Sequence, residues 1–379
     1  MAAALEYEDD YIVGGSPNAR VTPNFTLAEY LLDGETRTHR DLATAVQLLR
    51  ETLAAPIRIL SRKPQQGLGE DKSGLFAWLG AGDPDRLERL AHKLVQDGDL
   101  AQAQRIGDRI YVEASPTDQA PEIKAERAFD RAIQITAGFE TSGDPYLQVT
   151  GNFDGAGLSF GPLQVNFKTG TLQEVFRRFA NADERALARC FGADYPEWQR
   201  VLKLPRSQQV AWADSMSTGS RKQNIKEPWR GYLQAVGRVP RFRQELLRYA
   251  YDVYGRKLIV ALSWLHGLSD IRISNFRCLS ALYDLCVQQG SLDKAHAAIR
   301  RRVAAEQPKD QFELTRIAVE ERGRTASKQW RADCISRRLS ILLGQPVAWE
   351  EAGVKAERNN PNLYLARRVG VKGVNTYLV

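Results

Sequence analysis

Residues 139–173, FETSGDPYLQVTGNFDGAGLSFGPLQVNFKTGTLQ, limit the fold of this chain more than any other stretch. An apolar-periodic run that reads as helix, 122–139, precedes it, and another begins at about Thr171. The text between is rich in Gly, Asn and Thr. Such residues favour turns, and Gly costs about 1 kcal/mol per position inside a helix, so this is not buried helix. It predicts a helix end and a short hairpin, 151–167, facing one another across a cleft. Little else from 122 to 379 reads as strand, so the expected fold is mostly α, with a small β element at the cleft.

Two carboxylates flank the segment, Glu140 and Asp154. Opposed carboxylates suit glycoside hydrolysis, in which one donates a proton to the leaving oxygen and the other activates water or attacks the sugar. Glu140 follows Ile135, Ala137 and Phe139. Apolar surroundings raise a carboxyl pKa and suit the acid. Asp154 sits among Asn152, Gly155 and Gly157, a wetter setting that favours a charged base. Spacing alone leaves open a plain helix-end Glu and an ordinary Asp-Gly turn. Gln164 and Asn166 are two apart on the hairpin and are expected to share one face. Either they line a sugar cleft or they form an ordinary exposed strand face. Tyr146, Trp229 and Trp264 are candidates for sugar stacking, with core positions as the other reading.

DGAGLSFGPLQVNFKTGTLQ resembles the active-site segment of the glycoside hydrolase family 46 chitosanases. By that resemblance Glu140 is the general acid and Asp154, in Asp-Gly-Ala-Gly, the general base. Ser159 joins the substrate-lining group, and Thr169 matches a threonine near the attacking water. SFGPLQ also resembles the Ser-x-Gly-x-x-Gln strand of the lysozyme-like superfamily. Downstream, SALYDLCVQQGSL (280–292) resembles the ALYD-x-x-VQ-x-G helix of the same group, which implies that Asp284 is a structural anchor. The resemblance spans roughly 125–345 and implies a lysozyme-like α+β domain over 122–379.

The N-terminal text differs. Residues 1–20 read as a flexible arm. From 21 to 114 the expected elements are a Thr26 cap with Glu29 as capping box, a helix over 39–53, a strand at 55–60, a helix over 86–95 capped by Asp83, and a strand at 108–114. Phe25-Thr26-Leu27-Ala28-Glu29 and Leu53-Ala54-Ala55-Pro56-Ile57-Arg58 resemble the opening of zinc D-alanyl-D-alanine carboxypeptidases. The metal ligands do not follow: after Arg58 this part contains only His92, on a predicted helix, whereas catalytic zinc needs three protein ligands. The resemblance implies a degenerate peptidase-like α+β domain kept for wall binding or as a spacer, with no metal and no cofactor. Residues 115–121, SPTDQAP, read as a linker.

Across 379 residues, 43% hydrophobic content is enough for a core, and the net charge of +7 suits an anionic partner. Arg300–Arg302, Arg322, Arg324, Lys328, Arg331, Arg337 and Arg338 make the C-terminal third basic; they read as a clamp on a polymer or as solvated helix faces. The cysteines at 190, 278, 286 and 334 form no framework and read as free thiols. No apolar run spans a bilayer, no ordinary signal peptide is read, and no nucleic-acid motif is found.

Both resemblances concern amino-sugar polymers or their peptides. The expectation is therefore a muramidase-like peptidoglycan hydrolase. It would be made in the cytoplasm and act at the bacterial wall, as a phage lysin or delivered effector with a delivery or virion partner at the N-terminal arm. The alternatives are a chitosanase, which the positive charge disfavours, and an inactive wall-binding or phage structural protein.

Overall fold

The computed structural model describes residues 5–65, 67–116, 122–139 and 144–373. The expected linker falls largely on residues outside that set. The chain packs as two compact units. One comprises Met1–Ile135, Ala261–Leu285 and Ser291–Val379, and the other Thr136–Val260 and Cys286–Gly290.

The first unit contains a four-stranded antiparallel sheet in the order Ile57–Ser61, Phe76–Ala81, Arg109–Glu113, Gln102–Ile106. Alternation along the strands sorts the side chains to two faces. Ala77, Leu79, Ile110 and Val112 join a core with Leu42, Val46, Leu49, Leu87 and Leu94 from the helices Arg40–Leu53 and Pro84–Gln96. Phe76, Trp78 and Tyr111 form a separate cluster. Because both faces are covered, Phe76 to Leu79 lack the alternating text of a half-exposed strand, and sequence reading missed this strand.

The later segments belong to the same unit because buried charges tie them to it. Arg367 donates to Asp41 (2.6 Å) and Asp99 (2.8 Å), Arg131 donates to Asp99 (2.7 Å), and Arg277 to Asp10 (2.8 Å). Each of these residues is nearly sealed from solvent. Composition, the sequence guide to a boundary near 115–121, carries no trace of such pairs. Asp284 accepts from Arg337 at 2.9 Å, and Arg338 lies 3.5 Å away. Asp284 therefore bonds Arg337 on the helix Arg331–Leu343, consistent with an anchor role. It also corrects the reading of Arg337 and Arg338 as surface charges, since both are buried. Arg302 and Arg324 are likewise paired with Glu320 and Glu321, so much of the basic C-terminal text is neutralised internally.

The second unit is helical around an aromatic core. The helix Thr171–Phe191 places Leu172, Val175, Phe176 and Phe179 on one stripe. Asp183 interrupts it with a non-helical backbone and re-caps the remainder by accepting from Ala186 N at 2.9 Å; the sequence reads the same break as two helices, 171–179 and 183–190. Trp198 stacks on Phe191 at 4.9 Å between centroids, and Trp229, on the helix Trp229–Arg238, belongs to the same core. A three-stranded antiparallel sheet, Val149–Thr150, Ser159–Phe160, Val165–Asn166, stands where a hairpin is expected, and a second small ladder pairs Ser217–Thr218 with Asn224–Ile225. The described residues are thus mostly helical with small sheets, the expected class, though with more strand than the sequence reading allows.

Candidate functional site

The turn between the first two strands of the three-stranded sheet carries Asp154. It is fixed from several sides. Gly151 N donates to Gln223 O at 3.1 Å, and a Cβ at Gly151 would lie 2.4 Å from Lys222 O, so only glycine fits. Asn152 N donates to Ser217 Oγ at 2.9 Å, and Asn152 Nδ2 to Asp214 Oδ1 at 2.7 Å. Asn152 Oδ1 accepts from Gly157 N at 2.8 Å. Asp154 Oδ1 accepts from Ala156 N at 2.9 Å, an Asx turn that holds its carboxylate while leaving it exposed. Lys168 N donates to Ala156 O at 3.1 Å and joins the turn to the third strand's exit.

Glu140 lies outside the described residues, so no separation between the two carboxyl groups is assigned.

The other candidates divide. Thr169 is exposed; its N and Oγ1 donate to Asn166 Oδ1 (3.0 and 2.9 Å), and its Oγ1 meets Thr171 Oγ1 at 2.8 Å. Asn166 N donates to Thr171 Oγ1 at 2.9 Å, and Asn166 Nδ2 to Gln164 O at 3.2 Å. Asn166, Thr169 and Thr171 therefore lock the turn into the helix Thr171–Phe191. Gln164 does not obey the strand alternation expected of it. Its φ is +48°, it closes a turn by donating its N–H to Gly161 O at 3.0 Å, and its Oε1 accepts from Thr150 Oγ1 at 3.3 Å. It precedes the strand Val165–Asn166, so the two-residue period places no common face for Gln164 and Asn166. Ser159 is buried in the middle strand, opposite Thr150 and Asn166. Tyr146 is a core residue at 4% exposure. The Arg243 guanidinium lies 4.5 Å from its ring centroid, held there by Asp144 at 2.7 Å. Trp229 is core as well. Trp264 stacks on His296 at 3.8 Å in the first unit.

Sequence reasoning missed the support of the Asp154 turn. Ser217, Asp214 and Lys222 lie about 60 residues downstream, and nothing local marks them. Lys222 Nζ donates to Asp214 Oδ1 at 2.7 Å, which neutralises the carboxylate that holds Asn152 and keeps the Asp214 pKa low, the bonds from Lys222 and then Asn152 being the largest causes. It also missed Phe153, whose ring is 56% exposed beside Asp154. Lys168, exposed, adds positive charge next to the turn, and the exposed Arg206 guanidinium lies against Gly170.

Among the described residues no group of three His, Cys, Asp or Glu side chains is placed to hold a metal ion. His92, on the helix Pro84–Gln96, has Glu88 at 3.8 Å from its imidazole. Among the described residues no disulfide joins the cysteines at 190, 278, 286 and 334. Among the described residues no helix is long and apolar enough to cross a membrane.

No protein-family model matches the chain, and no curated protein matches it. Solved structures do. Native chitosanase from Bacillus subtilis MY002 aligns at 16% identity and a TM-score of 0.39, over 62% of this chain and 100% of that one. A GH46 chitosanase from Gynuella sunshinyii, solved with chitotetraose, aligns at 20% identity and a TM-score of 0.38, over 62% and 98%. A likeness at this level transfers neither residue roles nor activity. The peptidase-like resemblance of 21–114 has no support among these matches.

Proposed function

We propose that this protein is a glycoside hydrolase that cuts the glycan strand of bacterial peptidoglycan, with Glu140 as general acid and Asp154 as general base. The observation that carries the reading is the Asp154 turn. A carboxylate that must activate water has to stay ionised and wet, yet hold its position. Asp154 is exposed, while the backbone on both sides of it is bonded to three other segments. Lys168, exposed and bonded through its backbone to the Asp154 turn, together with the net charge of +7, favours a wall polymer bearing carboxylates over polycationic chitosan. In this mechanism Glu140 protonates the glycosidic oxygen as the bond breaks. Asp154 takes a proton from the water attacking the opposite face of the sugar, and the anomeric centre inverts. Inversion needs a carboxyl separation of about 6.5–9.5 Å, against about 5–5.5 Å for retention. The first unit, to which residues 21–114 belong, serves as a wall-binding or spacer module, and the protein reaches the wall as a lysin or delivered effector. The test is turbidity loss of purified peptidoglycan. Wild type clears the suspension, and Glu140→Gln and Asp154→Asn do not. A wild type that leaves the wall intact and cuts chitosan reverses the substrate assignment, and one that sediments with the wall without cutting it is a binding protein.

A further inference from the structure

We infer that Phe153 is a stacking platform for one sugar ring of the polymer, next to the carboxylate that activates water. This rests on the glycan-binding reading above. The other aromatic side chains discussed in the second unit, Tyr146, Phe176, Phe191, Trp198 and Trp229, are buried. Phe153 is 56% exposed. Burying a Phe side chain contributes about 1.5–3 kcal/mol, and a loose loop would fold the ring inward to gain it. This loop is not loose. Gly151, Asn152, Ala156 and Gly157, on either side of Phe153, are bonded to Gln223, Ser217, Asp214, Lys168 and one another at 2.7–3.1 Å. The turn therefore fixes the backbone from which the exposed Phe153 side chain projects. The tip of the turn is open too: no atom outside its own neighbours lies within 4 Å of where a Cβ would stand at Gly155. A phenyl ring has no polar group to offer, so what it recognises is the apolar C–H face of a pyranose. The hydroxyl and acetamido groups on the ring's edge are left to polar partners. Single exposed apolar side chains are common on protein surfaces. Phe153 differs in being aromatic, held by a fixed turn and adjacent to the candidate base.

The experiment uses the full chain and soluble glycan fragments released from peptidoglycan, with kcat and KM measured separately. Binding is measured in parallel by calorimetry in the Asp154→Asn background. An aromatic stacking contact is worth about 0.5–1.5 kcal/mol, which predicts a rise of about 2- to 13-fold in KM and in Kd for Phe153→Ala. The value of kcat should stay within about twofold, with an unchanged melting temperature because the ring is exposed. Phe153→Trp should restore KM and Phe153→Leu should not, which separates ring stacking from bulk hydrophobicity. Unchanged KM and Kd in Phe153→Ala, with an active wild type, overturns the platform and leaves the hydrolase reading standing. A wild type that binds glycan without cutting it ends the hydrolase reading, while a loss of affinity in Phe153→Ala still supports the platform. A wild type that neither binds nor cuts ends both.

Discussion

Arg367→Met tests the buried charges that hold the first unit together. Arg367 is 2% exposed and bridges Asp41 at 2.6 Å and Asp99 at 2.8 Å. Burial raises the Asp41 pKa, but Arg367, with His39 and Arg277 behind it, more than reverses this and holds the carboxyl below its ordinary value. Methionine replaces the stem and removes the charge. Asp99 keeps Arg131 at 2.7 Å and also Arg127, so the cost falls mainly on Asp41. Leaving one buried charge without its partner costs about 3–5 kcal/mol, and the remaining partners of Asp99 place the expectation near the lower end. Urea unfolding followed by circular dichroism measures it. The pH dependence follows from the sign of the shift. In the wild type, Asp41's contribution is complete above the unfolded carboxyl value and is lost as pH falls through its lower folded value. In Arg367→Met, burial without the cation raises the Asp41 pKa, so the variant regains stability relative to wild type as Asp41 protonates. The gap should narrow from pH 7 towards pH 4. Adding Asp41→Asn to Arg367→Met should recover part of the loss, because the two residues are coupled. A loss under about 1 kcal/mol, or a gap that does not change with pH, would refute the argument that this network is what joins the segments.

Other substitutions have equally definite outcomes. Asp154→Asn should lower kcat on wall glycan by about 10²- to 10⁴-fold, the usual worth of a general base, with no change in melting temperature. Gly151→Ala sets a Cβ 2.4 Å from Lys222 O; it should lower thermal stability and activity together, whereas Asp154→Asn lowers activity alone. Trp198→Ala empties the centre of the aromatic core and should cost about 3–5 kcal/mol in urea unfolding.

Local chemistry was legible in the sequence where it acts over a few residues. Glu29 does accept from Thr26 N, at 2.7 Å, and Asp83 Oδ1 accepts from Arg86 N at 2.9 Å to cap the helix Pro84–Gln96. The helix expected over 39–53 runs Arg40–Leu53. Hydrophobic spacing over 241–267 reads as one long helix, whereas the structure has Pro240–Ala250 and Arg256–His266 joined by a π turn, Tyr251–Gly255, because such spacing alone does not register one wider turn. Long-range pairing was not legible. Nothing near Asn152 points to Asp214 or Ser217, and the text RRLS around Arg337 looks like a solvated helix face until Asp284 is found beside it. The turn at Asp154 was legible because an Asp-Gly pair favours one, and Asp154 Oδ1 does accept from Ala156 N. Sequence assigns aromatics to the core by default, and only its exposure in the fold shows that Phe153 faces water.

The most direct test of the central claim is the chemistry of the new chain ends. Purified peptidoglycan is digested with wild type, Glu140→Gln and Asp154→Asn, and the reducing-end sugars and their first-formed anomer are read by NMR and mass spectrometry. The account predicts new reducing ends of inverted configuration from wild type and none from either variant. Intact glycan strands with wild type, or products that Asp154→Asn releases at the wild-type rate, would contradict it.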